Sequence, residues 1–246
     1  MEQEFLILSL AIFGAATLQS ATGIGFGVIA GPVLLVVLND SAAIQVSIVL
    51  NLLIALLLAP SLRRNADRRL LPPLLIGLAI GSPLGLLIYL LMDIGMLKAF
   101  AGFVVLFTLV FVARERRINP SSTEPASGKF KRIAIGTIAG VMGGSLAMPG
   151  PVPAAWMSAT GYRKETIRST ILLMFVFAYT IALVLQFSLA GISGNTLWLC
   201  IIHTPATIAG VLLGKVLSTR ISEQVFRWLL MGILVSTAVI LFATIG

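Results

Sequence analysis

Ala21-Thr22-Gly23-Ile24-Gly25-Phe26-Gly27 interrupts a run, Phe5 to Asn39, that contains no Asp, Glu, Lys or Arg. As one helix that run would reach about 52 Å at about 1.5 Å per residue, well beyond the roughly 30 Å of a hydrocarbon core. Three glycines in five residues disfavour a continuous helix, so the run reads as two arms joined by an irregular tip. A second stretch, Gly143-Gly144-Ser145-Leu146-Ala147-Met148-Pro149-Gly150-Pro151, breaks the uncharged run Ile133–Tyr162 in the same manner.

Outward from these breaks the chain is apolar. Of 246 residues 58% are hydrophobic and only 11% charged, and mean hydropathy is +1.06. A soluble domain carries about 25% charge, so this chain lacks the polar surface to coat itself against water and reads as all-α integral membrane. The first repeat covers 1–113: a broken-helix hairpin over 5–39, then helices over 41–62, 70–92 and 95–113. A cytoplasmic linker spans 114–132. The second repeat covers 133–246, with a hairpin over 133–162 and helices over 166–190, 195–217 and 225–246. The start, MEQEFLILSL, is acidic and lacks a basic leader region, so the first apolar run reads as retained.

The halves match in detail. Gly31-Pro32-Val33 pairs with Gly150-Pro151-Val152, Ser47 with Ser169, and Gly81-x-x-x-Gly85 with Gly210-x-x-x-Gly214, in the same order along the chain. Charge then orients each half, because cytoplasmic loops carry excess Lys and Arg. If each broken run crossed the membrane once, the seventeen Lys and Arg would divide ten against seven. If each is a hairpin returning to its own side, all seventeen except Lys98 fall on one face. The hairpin reading gives two inverted repeats, each a hairpin plus three transmembrane helices, with both chain ends outside. Inverted repeats with broken helices are a recurring transporter plan.

Gly23-Ile-Gly-Phe-Gly27 with Gly31-Pro32, and Gly143-Gly144 with Gly150-Pro151 followed by Gly161-Tyr162-Arg163-Lys164-Glu165-Thr166-Ile167-Arg168-Ser169-Thr170, resemble the sulfite exporter TauE/SafE family over essentially the whole chain. The resemblance implies a multi-pass permease of the bacterial inner (cell) membrane. It also implies the substrate class of sulfite, organosulfonates and related sulfur-containing anions. That family is commonly described with about eight helices, one point on which the hairpin count departs from it.

An anion in the bilayer needs donors, and these apolar runs hold no Lys or Arg to supply them. A helix N-terminus supplies unpaired N–H groups and about half a positive charge. Both breaks have the ingredients, with second arms expected to start near Gly25–Gly27 and Pro149–Pro151. The expected substrate-binding set is therefore Gln19, Ser20, Thr22, Gly23, Gly25 and Gly27 at one tip, and Gly143, Gly144, Ser145 and Gly150 at the other. The alternative is that these glycines serve close helix packing. Ser47 and Asn51, four apart, and Ser169 and Thr170 are further candidates. Arg168 reads either as a group that steers the anion or as one that snorkels to the headgroups.

His203, the one histidine, is a proton-coupling candidate. The alternative is a neutral imidazole bonded to a carbonyl. A single cysteine, Cys200, supplies neither an internal disulfide nor a metal cluster. No catalytic constellation, metal spacing or nucleotide-binding loop is present, so no enzyme, cofactor or metal is expected. The basic residues sit between apolar runs, where they set topology and meet lipid rather than nucleic acid, despite a pI near 10.4. The reading is a secondary transporter moving a small anion, with protons as a candidate coupling ion. An anion channel and a non-transporting membrane scaffold or assembly subunit are the alternatives, and oligomeric state stays open.

Overall fold

The computed structural model describes residues 2–23, 25–62, 65–114, 128–217 and 223–244, with backbone alone at 114 and 223–230. Residues 115–127 of the expected linker therefore lie outside the described residues. Among the described residues there are ten helices and no strand: α1 (Glu2–Thr22), α2 (Phe26–Leu38), α3 (Ala42–Leu62), α4 (Leu71–Leu91), α5 (Ile94–Arg114), α6 (Lys129–Leu146), α7 (Pro151–Ala159), α8 (Lys164–Leu189), α9 (Gly194–Leu217) and α10 (Glu223–Ala243).

Six of these, α1, α3, α4, α5, α8 and α9, are long and apolar enough to cross a bilayer. Their outward faces carry Leu84, Leu91, Phe103, Phe187 and Leu189, each more than half exposed, a perimeter that requires an apolar solvent. Two helices are short. α2 has 13 residues and α7 has 9, and each follows a break in the chain.

Glycines set the closest packing. A Cβ on Gly77, Gly81 or Gly85 of α4 would collide with the backbone at Ile133, Thr137 or Val141 of α6, and one on Gly136 or Gly140 with Leu74 or Leu78. The residue numbers rise together, so α4 and α6 run parallel with backbones in contact, the geometry that small residues at four-residue spacing allow. The second half does likewise. Gly210 and Gly214 of α9 meet the carbonyls of Phe13 and Thr17 of α1, so those helices also run parallel. The sequence pairing of Gly81 and Gly85 with Gly210 and Gly214 thus corresponds to the same contact in both halves.

Hydrogen bonds between loops and helix ends tell which ends share a face. The amide of Asp67, in the α3–α4 loop, donates to Thr170 Oγ1 in the second turn of α8 (3.0 Å). At the other end, Gln45 of α3 donates to the Gly191 carbonyl after α8 (2.8 Å). Arg68, Arg69, Arg163 and Lys164 therefore lie at one end of the molecule. The parallel pairing with α4 brings the start of α6, with Lys129 and Lys131, to that same end.

Lys98 sits at the opposite end, 6% exposed. Its ammonium donates to Asn39 Oδ1 (2.8 Å) and to the Thr244 carbonyl (3.1 Å). These are the C-terminal ends of α2 and α10, where the helix dipole leaves negative partial charge. Lys98 is thus held by two helix ends.

The glycine seam makes a direct prediction. Gly81→Val will destabilise the detergent-solubilised protein by about 3 kcal/mol or prevent folding, since backbone cannot yield as a side chain would. Gly14→Ala, at a helical glycine with nothing within 4 Å of an added Cβ, will not lower the thermal midpoint.

Candidate functional site

The first break is built by glycine. Gly23 has φ 91° and Gly25 φ 150°, conformations that L side chains rarely adopt. They reverse the chain between Thr22 and Phe26, and Gly25 becomes the N-cap of α2 without a side-chain cap. Gln19, 1% exposed, takes that role from the last turn of α1: its Oε1 accepts the Phe26 N–H (3.0 Å). A backbone amide only donates, so the oxygen must face it. Nε2 then donates to Asn51 Oδ1 (3.1 Å), and Asn51 Nδ2 to the Ser47 carbonyl (2.9 Å). Asn51 lies about half-way along α3, which sets the depth of the tip.

The second break differs from the sequence expectation. α6 continues through Gly143, Gly144 and Ser145 to Leu146, so the break is Ala147–Gly150. Ala147 ends the helix in the left-handed conformation, φ 57°, and its N–H and that of Met148 return to the carbonyls of Gly143 and Met142. Tyr179 of α8 donates its hydroxyl to the Ala147 carbonyl (3.1 Å). Gly150 is the N-cap of α7 and Pro151 its first residue. Gly31-Pro32, by contrast, lies inside α2, so its pairing with Gly150-Pro151 joins unequal positions.

The breaks touch. A Cβ on Gly27 would collide with the Ala147 carbonyl oxygen. Between them is a cavity of about 10 Å³ lined by Gln19, Gly25, Gly27, Val28, Met148, Gly150, Pro151, Phe175 and Tyr179, room for about one water. The structure therefore brings Gln19, Gly25, Gly27 and Gly150 together and adds Phe175 and Tyr179, which sequence reasoning missed. A tyrosine deep in the apolar run of α8 was the available signal, since a buried phenol needs a partner.

Other expected residues are engaged elsewhere. Each hydroxyl has one proton to give. Ser20 gives its proton to the Val211 carbonyl (2.9 Å), Thr22 to Leu18 (2.7 Å) and Ser145 to Val141 (2.7 Å). In this conformation those protons are spent within and between helices. Gly143 packs on the Pro149 ring, and Gly144 on Ser82 and Leu86 of α4, which is helix packing. Thr170 holds the α3–α4 loop, with Ser169 buried beside it.

Ser47 is fully buried with its hydroxyl unpartnered among the described residues. The stem of Arg168 lies on Gly23 and its guanidinium donates to the Ser20 carbonyl, so its charge rests at the C-terminal end of α1. His203 stacks on Phe5 of α1 (5.2 Å, 20°), with Nδ1 3.1 Å from Ser9 Oγ. It lies eleven residues, about 16 Å of helix rise, from Gly214, which packs on Ser20.

Chemically, the site offers amides and dipoles. The first-turn N–H groups of α2 lack intrahelical acceptors, and the dipoles of α2 and α7 both direct positive ends at the cavity. The two ends are unequal. Pro151 and Pro153 have no N–H, so α7 contributes field and fewer hydrogen bonds, while α2 contributes both.

The family model described as Sulfite exporter TauE/SafE matches residues 8–241. The chain belongs to this family. No curated protein and no solved structure matches the chain. As a TauE/SafE member it is a multi-pass membrane transporter of the sulfite and anion exporter type, and not an enzyme.

Tyr179→Phe in this TauE/SafE chain removes the one side-chain bond seen on the Ala147 carbonyl. The expected cost is about 1 kcal/mol of stability, read as a lower thermal midpoint. A variant as stable as the parent would show that the bond contributes nothing.

Proposed function

We propose that the chain is a secondary transporter that carries a sulfur oxyanion or organosulfonate across the bacterial inner membrane, binding it where the two helix breaks meet. The architecture in this reading is two inverted repeats, α1–α5 and α6–α10, whose hairpins α1–α2 and α6–α7 enter from opposite faces, with the basic end cytoplasmic. The observation that carries the reading is the contact of Gly27 with the Ala147 carbonyl, which sets two helix N-termini around one cavity. Main-chain amides replace a buried cation, whose insertion would cost about 2.5–3.5 kcal/mol.

A cavity for one water is too small for any sulfur oxyanion. The breaks must separate to admit substrate and close again behind it, which suits a carrier with two gated states better than a pore. In this reading His203 is a packing residue between α1 and α9 rather than the coupling group, because it lies far along α9 from the breaks.

The test is a thermal-stability screen of purified protein against sulfite, thiosulfate, sulfate, taurine, sulfoacetate and carboxylates. Ligands that bind the folded state raise the midpoint by mass action. At least one sulfur anion should do so and carboxylates should not. Gly27→Ala should abolish that response and slow uptake into vesicles at least tenfold, equivalent to about 1.4 kcal/mol. A carboxylate response without any sulfur-anion response would contradict the substrate class. An unchanged response in Gly27→Ala would contradict the site.

A further inference from the structure

Thr17, Ser82, Thr108 and Thr137 each bond the carbonyl four residues back in their own helices. That is a common resort for a hydroxyl inside an apolar helix. Ser47 of α3 departs from it. The residue is 0% exposed, and its Oγ has no hydrogen-bond partner among the described residues. Burying a hydroxyl without a partner is unfavourable. Its backbone is nevertheless fixed, because the Ser47 carbonyl accepts from Asn51, which in turn accepts from the capping residue Gln19.

The face of α2 shows what lies beside this hydroxyl. A Cβ on Gly31 would stand 3.7 Å from Ser47 Oγ and 3.4 Å from Met148 Cε. One turn earlier, a Cβ on Gly27 would stand 3.4 Å from Met148 Cγ. The Met148 side chain therefore runs along a groove that two glycines leave without side chains, and its methyl end comes to the place beside Ser47. Met148 is 1% exposed and also lines the cavity where the two breaks meet. A thioether is a weak acceptor, so such a neighbour leaves the Ser47 proton unused.

Size agrees with an anion taking this groove. Beyond Cβ a methionine carries about three heavy atoms, Cγ, Sδ and Cε, on freely turning bonds. The adjoining cavity of about 10 Å³ adds room for about one water. Sulfite, a sulfur with three oxygens, needs about the four places that result.

We propose that the transported sulfur anion takes the place of the Met148 side chain against Gly27 and Gly31, with one oxygen accepting the Ser47 hydroxyl proton. Met148 fills the groove while the site is empty and swings out as the breaks separate. The first-turn amides of α2 then meet the anion at one end of the groove, and Ser47 meets it at the other. Met148 limits the length of the solute, and Ser47 selects for an oxygen acceptor. The inference rests on the anion-transport reading above, to which it adds a specific place and donor.

The experiment measures thermal unfolding of purified protein across a sulfite series, for the unaltered chain and three variants. Ser47→Ala should not lower the ligand-free midpoint, since the hydroxyl has no partner to lose and alanine favours a helix. It should raise the half-maximal sulfite concentration at least about tenfold, because a bond to a charged acceptor is lost. Gly31→Ala meets only ordinary contacts and should likewise keep its ligand-free midpoint, while its methyl narrows the groove and raises the half-maximal concentration at least about tenfold. Met148→Ala should lower the half-maximal concentration of the longer sulfoacetate at least about tenfold relative to that of sulfite. A Ser47→Ala protein that is less stable without ligand, or that responds to sulfite like the unaltered chain, overturns the role of Ser47. An unchanged sulfoacetate-to-sulfite ratio in Met148→Ala overturns the role of Met148; if that variant fails to fold, an unchanged sulfite response in Gly31→Ala overturns the groove. Any of these results alongside a normal response of the unaltered protein leaves the anion reading standing. An unaltered protein that responds to no sulfur anion removes that reading and this inference together.

Discussion

Backbone against backbone, without side chains between, is the constraint from which the rest of the arrangement follows. Where Gly77, Gly81 and Gly85 meet α6, and Gly210 and Gly214 meet α1, the first arm of each hairpin is held by a helix of the other half of the chain. In lipid there is no hydrophobic effect to draw helices together, so such close van der Waals contact supplies much of the association. Because each half grips the other's hairpin, the two breaks are brought to one place. A methyl group on Gly27 would already separate them.

That meeting point deals with charge economically. In the proposed reading, an anion there is stabilised by main-chain amides rather than by a cation that must itself be buried when the site is empty. The start of α2 supplies amides, and Gln19 satisfies one of them through its carboxamide oxygen while remaining neutral. Full charges stand where helix C-termini welcome them: Arg168 on α1, and Lys98 on α2 and α10. The end of α6 meets neutral donors instead, Tyr179 on the Ala147 carbonyl and Gln186 on the Gly144 carbonyl.

Much of this was legible in the sequence because it is written in residue types that act through the backbone. Glycine clusters marked both breaks, and uncharged runs marked the long helices. Helix ends were less legible. Gly143 and Gly144 read as part of the break, yet they continue α6, because a helical glycine packed on a neighbouring backbone looks the same in sequence as one in a turn. The hydroxyls of Ser20, Thr22 and Ser145 read as donors because composition does not reveal that a carbonyl four residues back, or on α9, takes the proton first. The contacts of Tyr179 and Arg168 were not legible for a related reason: their partners, Ala147 and Ser20, are far away in the chain.

Sidedness of the hairpins is the most direct test. In a Cys200→Ala background, single cysteines at Gln3, Ser41, Lys129 and Arg163 would be probed with a membrane-impermeant thiol reagent in right-side-out and inverted vesicles. Hairpins that return to their own face require Gln3 and Ser41 to be labelled from one side, and Lys129 and Arg163 from the other. Labelling of Gln3 and Ser41 from opposite sides would mean that the first broken run crosses the membrane once, and the meeting of the two breaks could not stand.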